Sequence, residues 1–433
     1  MVVEPWLRRR PAAERAAPGE AARSPAARLE EAVGLARAID LDVVEAGLAP
    51  LADIRPATYL GKGKVEEIAG IVKSLAIDLV VMDCPVSPVQ QRNLEKAWNA
   101  KVLDRTGLIL EIFGRRARTR EGALQVEHAH LTYQKSRLVR SWTHLERQRG
   151  GFGFLGGPGE TQLEADRRVI EERIARIEGD LERVKRTRKL HRLSRKRVPY
   201  PIVALVGYTN AGKSTLFNRL TRASVLEADM LFATLDPTLR AVALPAGAKV
   251  ILSDTVGFIS DLPTMLIAAF RATLEEVIEA DLILHVRDVS HADSDAQARD
   301  VEKVLGELDI DASDRHRLIE VWNKIDRLDA EARTRTANVA ARQDGEGRSI
   351  LVSALTGEGL DRLTAAIETR LAQSRTMLDL VLDPADGAGV SWLHRNTEVM
   401  AKSMREDGRY AVTVRVDPTK ADMVRRKYAA ADL

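Results

Sequence analysis

The sequence predicts an α/β protein with a doubly wound, mainly parallel sheet in its central part, from about residue 199 to residue 374. The first observation is the apolar run PIVALVG, which leads directly into the glycine loop GYTNAGKS and the helical stretch TLFNRL. The second is the alternation of apolar strands with helices that follows, which is typical of a sheet covered by helices on both faces. The third is a heptad pattern on both sides of another glycine-rich segment, which predicts an antiparallel helical hairpin before the sheet.

The composition of the whole chain limits the classes of protein that it can form. A chain of 433 residues corresponds to about three domains. The single cysteine, Cys84, excludes an internal disulfide and suits a reducing compartment, and it follows an apolar run as a small buried residue would. No apolar stretch approaches the length of a transmembrane helix. We therefore expect a cytoplasmic protein without a membrane span, acting as a monomer.

The N-terminal part divides into two segments by composition. Residues 1–28 are rich in Arg, Ala and Pro, which predicts a disordered segment. From 29 to 114, helical and strand-like stretches alternate, which predicts a small α/β subdomain. Within it, YLGKGK at 59–64 stands just before a helix, where two lysines and exposed amides could hold a phosphate. A plain turn with a helix N-cap explains the same residues nearly as well.

Residues 115–198 form the predicted helical hairpin. Apolar residues recur at intervals of three and four from Leu124 onward, and again from Leu163 to Val184. Between them, GGFGFLGGPGE at 150–160 contains the spacing Gly-x-Gly-x-x-Gly, but no buried strand precedes it, so a dinucleotide site is not expected. We interpret this stretch as the tip of the hairpin, whose exposed apolar side chains need a partner to cover them.

Positive charge is concentrated in the same part of the chain. From Arg115 to Arg197, 22 Lys and Arg stand against 11 Asp and Glu, and the run Arg183–Arg197 contains no acidic residue. This asymmetry indicates a polyanionic partner, of which nucleic acid is the simplest, whereas a solvated helix face is the alternative. The residues expected to contact RNA are Phe152, Phe154, Arg183, Lys185, Arg186, Arg188, Lys189 and Arg192.

The loop GYTNAGKS, Gly207–Ser214, carries the strongest motif of the sequence. It has the full spacing Gly-x4-Gly-Lys-Ser between a strand and a helix, as phosphate-binding loops do. Its backbone amides would surround the phosphates, Lys213 would reach the β- and γ-phosphates, and Ser214 would supply a hydroxyl to Mg²⁺. The loop therefore predicts a site for a nucleoside triphosphate.

Further motifs follow in the order that a GTP-binding domain requires. DTVGF supplies Asp254, which can hold Mg²⁺ through water, and Gly257, whose amide can meet the γ-phosphate. NKID supplies Asp326, whose carboxylate can accept two N–H groups of guanine that adenine does not offer as a pair. SAL brings a backbone amide near guanine O6. Between the first two motifs, LFATLDPT should contain a switch threonine, and Thr234 and Thr238 both qualify by type.

The motifs GYTNAGKS, FATLDPT, DTVGF, NKID and SAL, preceded by YLGKGK and the glycine-tipped hairpin, resemble the HflX family of translation-factor-related GTPases, from about Leu29 to Leu371. The resemblance implies a ribosome-associated GTPase that binds the large subunit and its rRNA and can separate ribosomal subunits, typically under stress. It also implies that Thr234 is the metal-binding switch residue, that the hairpin approaches the peptidyl-transferase region, and that the N-terminal part of some members binds ATP.

The resemblance allows a variable C-terminal domain. In this sequence the corresponding residues, about 375–433, have the pattern strand, helix, strand (YAVTVRV), helix. We therefore expect a small α+β domain after the GTPase domain. Its role is not indicated by any motif.

Motifs and resemblance together give a full set of expected site residues. The metal ligands are Ser214, Thr234 and, through water, Asp254 for Mg²⁺, with Asn210 as a ligand for K⁺. The residues expected to take part in catalysis are Lys213, Thr234 and Gly257. The residues expected to bind GTP are Gly207, Tyr208, Thr209, Asn210, Ala211, Gly212, Lys213, Ser214, Thr215, Phe232, Ala233, Thr234, Leu235, Asp236, Asp254, Thr255, Val256, Gly257, Asn323, Lys324, Ile325, Asp326, Ser353, Ala354 and Leu355.

Phe258 occupies the position at which many small GTPases carry a glutamine that orients the attacking water. A phenylalanine cannot orient water, so we expect slow intrinsic hydrolysis, with the missing group or ordering supplied by a partner. A K⁺ ion beside Asn210 would add positive charge where charge develops in the transition state.

Two other functions stay open from the sequence. One is an ATP-driven RNA helicase or remodelling enzyme with a regulatory GTP domain, and the other is a non-catalytic ribosome-assembly scaffold that senses nucleotide. NKID argues against a small-molecule kinase. A metalloenzyme is not expected, because His128 and His130 are two positions apart on a helix and face different ways.

Overall fold

The computed structural model describes most of the chain. The described residues are 1–7, 23–148, 158–195, 200–222, 231–232, 234–235, 237–263, 266, 274–343, 348–373, 376–405, 407–416 and 418–428. Outside them lie most of the predicted hairpin tip, with Phe152 and Phe154, and two expected GTP-binding residues, Ala233 and Asp236.

The N-terminal unit is a parallel sheet with the strand order β2-β1-β3-β4 and four helices. Its elements are β1 (Val2–Leu7), α1 (Pro25–Arg37), β2 (Ala46–Leu51), α2 (Lys62–Ser74), β3 (Leu79–Met82), α3 (Pro88–Trp98), β4 (Lys101–Asp104) and α4 (Arg105–Arg116). Met82 pairs with Asp104 at the ends of β3 and β4. Because carboxyl ends of parallel strands meet at one edge, Asp83 and Arg105 come to lie together there.

Strand β1 corrects the prediction that residues 1–28 are disordered. Val2 and Val3 are buried, and Val2 pairs with Ala46 on one side and Val81 on the other. The strand is short and its neighbours lie far along the chain, so composition averages it with the Arg-, Ala- and Pro-rich stretch that follows. Residues 8–22 lie outside the described part.

The predicted hairpin is present as two long helices, α5 (Arg120–Gln148) and α6 (Pro158–Arg195). Ion pairs join them, among them Arg173 with Glu127 and Lys135 with Glu171, whose Nζ–Oε1 distance is 3.1 Å. Ile177 of α6 is buried, whereas Val169 is exposed. Within the described part of the chain, no helix is long and apolar enough to cross a membrane.

The central domain is the predicted doubly wound sheet, with the strand order β10-β9-β8-β5-β7-β6. All neighbouring strands are parallel except β6 and β7, which are antiparallel at one edge. Its elements are β5 (Ile202–Gly207), α7 (Lys213–Thr221), β6 (Thr238–Ala243), β7 (Lys249–Asp254), β8 (Leu282–Asp288), α8 (Ser294–Glu307), β9 (Leu318–Asn323), a short 3-10 turn (Ile325–Arg327), α9 (Ala330–Ala341), β10 (Ile350–Leu351) and α10 (Leu360–Gln373).

One apolar core is shared by the N-terminal unit and one face of the central sheet. It contains Leu108 and Phe113 of α4 together with Val206 of β5 and Ile283 of β8. The other face of the central sheet has a separate core against α7 and α10. Burial of continuous apolar surface is the main favourable term in folding, so the shared core joins the N-terminal unit and the sheet into one packed body.

The C-terminal domain contains one more strand than the sequence pattern predicts. Its elements are β11 (Thr376–Leu382), α11 (Gly387–Asn396), β12 (Glu398–Met404), β13 (Tyr410–Val416) and α12 (Pro418–Tyr428), with the sheet order β11-β13-β12. The missed strand is β12, EVMAKSM. It is an edge strand with an irregular register between Val399 and Ala401 and mostly exposed side chains, so it lacks the apolar alternation by which strands are recognised.

Candidate nucleotide-binding site

The phosphate-binding loop connects β5 to the first turn of α7. At Gly212 the backbone has φ +89°, and a Cβ atom there would come within 2.3 Å of Asn323 Nδ2. Both the left-handed conformation and the close approach require glycine. The sequence motif therefore reflects a real steric constraint between this loop and the end of β9.

Lys213 is the first residue of α7 and is buried. Its Nζ donates hydrogen bonds to the carbonyl oxygens of Gly207, at 3.1 Å, and Tyr208, at 2.8 Å. Burial lowers the pKa of Lys213 to about 8, against the opposing effect of Asp254. A bound phosphate would favour the charged form of this ammonium group, so anion binding and protonation of Lys213 are coupled.

The three expected magnesium ligands meet at one point. The hydroxyl of Ser214 donates to Asp254 Oδ2 at 2.7 Å, Thr234 Oγ1 donates to the same oxygen at 3.1 Å, and the two hydroxyls lie 2.9 Å apart. Asp254 Oδ1 is buried and has no hydrogen-bond partner among the described residues. Burial raises the pKa of Asp254, against the lowering effect of the Ser214 hydrogen bond. A cluster of hard oxygens with a buried carboxylate suits Mg²⁺.

The position of Thr234 distinguishes it from Thr238. Thr238 is the first residue of β6, where its backbone pairs with Asp254. Thr234 instead directs its hydroxyl towards the carboxylate of Asp254. Of the two threonines, the structure therefore places Thr234, the one that the resemblance implies, beside Ser214 and Asp254.

Gly257 lies directly beside Lys213. A Cβ atom at this position would be 3.1 Å from Lys213 Nζ and 2.9 Å from the Cα of Thr209. The next residue, Phe258, forms backbone hydrogen bonds with the phosphate loop, donating to Gly207 O at 3.1 Å and accepting from Thr209 N at 2.7 Å. Its ring is buried in the shared core. The residue that replaces the usual glutamine thus packs into the protein interior.

The base-binding end is assembled from the ends of β9 and β10. Asn323 Nδ2 donates to Ala211 O at 2.9 Å, and its Oδ1 accepts from the amide of Ala354 at 2.9 Å. Asp326 accepts from the hydroxyl of Ser353 at 2.5 Å. Asn323 therefore ties the phosphate loop to the SAL motif, while Asp326 is held beside it.

A pocket of about 320 Å³ runs between these groups. Fifteen of the expected residues line it: Thr209, Asn210, Gly212, Lys213, Ser214, Thr215, Phe232, Thr234, Thr255, Gly257, Asn323, Lys324, Asp326, Ala354 and Leu355. Arg327 also lines it and was missed, although its position directly after NKID was a usable signal. The expected residues that do not line it are Gly207, Tyr208, Ala211, Leu235, Asp254, Val256, Ile325 and Ser353.

Several of these residues nevertheless support the site from outside the pocket, as Gly207, Ala211 and Ser353 do through the hydrogen bonds described above. Asp254 reaches it through the hydroxyls of Ser214 and Thr234. Tyr208 contributes its carbonyl oxygen to Lys213, while its side chain points to the N-terminal unit and contacts Glu31 and Ser260. That side-chain contact was not expected, because nothing in the local sequence indicates the partner.

The other predicted features lie away from this pocket. Arg183 and Arg186 are exposed on α6, and Arg183 pairs with Asp180; Lys185, Arg188, Lys189 and Arg192 belong to the same helix. In YLGKGK, Lys62 and Lys64 begin α2 and pair with glutamates of that helix, Glu66 at 3.8 Å and Glu67 at 2.7 Å. This arrangement favours the plain turn and N-cap.

The two histidines have separate partners. His128 lies 3.3 Å from Glu178, and His130 lies 3.5 Å from Glu111. Among the described residues, no cluster of three or more His, Cys, Asp and Glu side chains could hold a metal ion. Cys84 is buried and free at the end of β3.

Comparison with known proteins gives four consecutive family matches. They are "GTP-binding GTPase N-terminal" at 26–114, "GTP-binding GTPase Middle Region" at 116–195, "50S ribosome-binding GTPase" at 202–324 and "HflX C-terminal domain" at 338–432. A GTPase HflX of Magnetococcus marinus is 51% identical over 88% of this chain and 86% of its own length. One of Escherichia coli is 47% identical over 83% of each chain. The chain therefore belongs to the HflX family and is a GTP-hydrolysing enzyme.

Proposed function

We propose that this GTPase acts on ribosomes in the cytoplasm, as a monomer that binds the large subunit and its rRNA and separates or rescues ribosomes under stress. We infer that its intrinsic hydrolysis is slow and that the large subunit accelerates it. The observation that carries this proposal is the pairing of a pocket lined by fifteen of the expected GTP-binding residues with a buried phenylalanine, Phe258, where many small GTPases have the glutamine that orients water. The family match to a 50S ribosome-binding GTPase supports the choice of partner.

In this proposal the residues of the site divide the work of phosphate recognition. Lys213 meets the β- and γ-phosphates, and the amide of Gly257 meets the γ-phosphate. Ser214, Thr234 and Asp254 would hold Mg²⁺, which neutralises developing charge on the phosphate oxygens when it is bound. None of these groups abstracts a proton from the attacking water. In this proposal the ribosome supplies the group or the ordering that positions that water.

Asn210 is the proposed ligand for K⁺. It lies in the phosphate loop with φ +59° and lines the pocket beside Lys213 and Gly212. A left-handed conformation is uncommon for a residue other than glycine, although asparagine tolerates it better than most. We expect K⁺ to raise the turnover number more than Na⁺ does, which steady-state GTPase assays in the two salts would measure.

The experiment that tests the proposed function compares GTP turnover alone, with purified large subunits, and with purified small subunits. We expect large subunits to raise turnover at least about tenfold, which corresponds to about 1.4 kcal/mol of barrier. Lys213→Ala is the control, since it removes the cation that meets the phosphates and should abolish nucleotide binding. Equal turnover with and without large subunits would refute activation by the ribosome.

The same preparations separate the alternatives. An ATP-driven RNA remodelling enzyme would hydrolyse ATP faster than GTP and would keep that activity in Asp326→Asn. A non-catalytic scaffold would bind ribosomal particles without any change in turnover. Sedimentation of intact ribosomes after incubation with the protein and GTP would report subunit separation directly.

A further inference from the structure

Ser260, three residues after Gly257, has all its polar groups held by other parts of the chain. Its backbone amide donates to the hydroxyl of Tyr208 at 2.8 Å. Its carbonyl oxygen and its hydroxyl both accept from the same nitrogen of Arg105, Nη2, at 2.9 Å each. Its hydroxyl also donates to Glu31 Oε1 at 2.7 Å. The loop that carries Gly257 is therefore tied to the N-terminal unit.

Arg105 is the first residue of α4 and is buried. Its guanidinium forms ion pairs of 2.6 Å with both Asp83, after β3, and Glu31, in α1. Burial disfavours the cation, but Asp83 and Glu31 outweigh this effect and raise the pKa of Arg105. The guanidinium is thus a permanent charge whose fork reaches two carboxylates and Ser260 at once.

The carboxylate of Glu31, in α1, connects α4, the loop after Gly257, the phosphate loop and the segment before α1. Besides Arg105 and Ser260, its carboxylate accepts from Tyr208 of the phosphate loop and pairs with Arg23 at 3.0 Å. Burial opposes ionisation of Glu31, but Arg105, Tyr208, Arg23 and Ser260 together outweigh this effect and lower the pKa of the carboxyl. A buried carboxylate with this many donors holds them in a fixed arrangement.

The segment before Thr234 also rests on the N-terminal unit, through apolar contacts. The ring of Phe232 meets the ring of Phe113 in α4 edge-on, with centroids 4.8 Å apart. A Cβ atom at Gly34 of α1 would be 3.2 Å from Leu231 Cδ1. The two segments that carry Thr234 and Gly257 are therefore both seated on α1 and α4.

We propose that Glu31 and Arg105 are positioning residues for GTP recognition: by holding Ser260, they keep the amide of Gly257 beside Lys213, where a γ-phosphate is read. Movement of the loop away from this place would leave buried charged donors and acceptors without partners, which is costly. GDP has no γ-phosphate and gains nothing from the position of Gly257. The hydrogen bonds of Glu31 and Arg105 with Ser260 therefore favour binding of GTP over binding of GDP.

The deciding measurement is the ratio of two dissociation constants, for a non-hydrolysable GTP analogue and for GDP, in the full-length protein. Glu31→Gln keeps the shape of the side chain and removes its charge. We expect the analogue to bind about fivefold more weakly or worse, within the range typical of coupled sites, while GDP binding changes less than about twofold. A purely structural role would weaken both nucleotides equally, and that result would overturn the proposal, as would tighter binding of the analogue.

Tyr208→Phe provides a second variant if Glu31→Gln does not fold, because it removes only the hydroxyl that joins Glu31 to the Ser260 amide. Its matched control is Tyr133→Phe. Tyr133 likewise donates to a buried carboxylate, Asp104, at 2.6 Å, but it contacts neither Ser260 nor the pocket. Only Tyr208→Phe should shift the ratio of the two constants. An equal ratio in Tyr208→Phe, Tyr133→Phe and the parent protein would refute the positioning role.

Discussion

Asn323 and Asp326 have different tasks within one short motif. Asn323 is buried, and both ends of its amide bind backbone groups of the protein. Asp326 lines the pocket, and its carboxylate accepts a hydrogen bond from the hydroxyl of Ser353. At the scale of single residues, the amide of Asn323 holds the site together, and the carboxylate of Asp326 is the group proposed to read the base.

Replacing Asp326 by Asn should change the base that the site accepts. The amide offers a donor where guanine also offers one, so GTP binding should weaken by about 1–3 kcal/mol or more. Xanthosine triphosphate should gain affinity, because it presents a carbonyl at that edge. Calorimetric titration with both nucleotides would measure the exchange, and an unchanged GTP constant would refute the base-reading role.

Asn323→Ala is the matched control for that experiment. It removes a hydrogen bond to Ala211 and one to Ala354, so it should weaken both nucleotides together and lower thermal stability. A selective loss of GTP in this variant would mean that Asn323, too, reads the base.

Nucleotide affinity should fall as the pH rises above the pKa of Lys213. In the free protein that pKa is lowered by burial to about 8, and a bound phosphate raises it. Below about pH 8, Lys213 is therefore already charged before the nucleotide binds. Above about pH 8, nucleotide binding must be accompanied by uptake of a proton by Lys213. Titration calorimetry in two buffers of different ionisation enthalpy should show uptake at about pH 8.5 and little at about pH 7. No difference between the two pH values would contradict the shifted pKa.

At the scale of elements, the hairpin of α5 and α6 joins the N-terminal unit to the central sheet. Val126 and Ala129 of α5 contribute to the shared core. The glycine-rich stretch at 150–160, the predicted tip, is largely outside the described residues. A helical hairpin packed on the core at α5 suits the proposed role of presenting that stretch to a partner.

We expect Phe152→Ala with Phe154→Ala to leave GTP binding intact and to weaken binding to large subunits. Aromatic stacking on a splayed base is worth about 1–3 kcal/mol, which the double variant would lose twice. Pelleting with large subunits would measure the loss. Normal subunit separation by this variant would mean that the tip only connects the helices.

Charge reversal within Arg183–Arg197 should lower the salt dependence of ribosome binding. Each lost phosphate contact reduces the slope of log K against log salt by about 0.7–0.9. Arg168→Glu is a control on the same helix, because Arg168 is exposed, lies outside the run and pairs with Glu172 at 3.4 Å. The same slope in both variants would show that the run has no special part in binding.

At the scale of the whole molecule, the C-terminal domain is separable and the N-terminal unit is not. The core of the C-terminal domain consists only of residues from Leu378 to Tyr428. The N-terminal unit has one core of its own, between Met1 and Val102, but its other core is shared with the central sheet. Independent cores unfold independently, whereas division of a shared core exposes apolar surface.

A chain that ends at Gln373 should therefore bind GTP within about twofold of the full-length protein, since its site and the three cores outside the C-terminal domain are complete. A chain that starts after Arg116 should aggregate, because it exposes the apolar face that α1 and α4 cover. Solubility and GTP titration of the two truncated proteins would check both statements. Loss of GTP binding in the first would show that the C-terminal domain supports the site.

The motifs of the sequence were sufficient to predict the residues of the candidate nucleotide site and the doubly wound class of the sheet. Its motifs are short because each must place a backbone amide, a cation or a carboxylate at a strand end, and that requirement is local. The alternation of strands and helices was likewise sufficient to predict a doubly wound sheet, but not the order of its strands or the antiparallel pairing of β6 with β7. Thr234 was implied by resemblance, but the motif alone left Thr238 open.

Features that depend on partners far along the chain became visible only in the folded structure. Strand β1 is recognisable only when β2 and β3 lie on both sides of it. The hydrogen bonds from Arg105 to Ser260 join residues 155 positions apart, and no local pattern in either segment announces the other. A long-range contact is set by how whole elements pack, so its chemistry becomes visible only after the chain has folded.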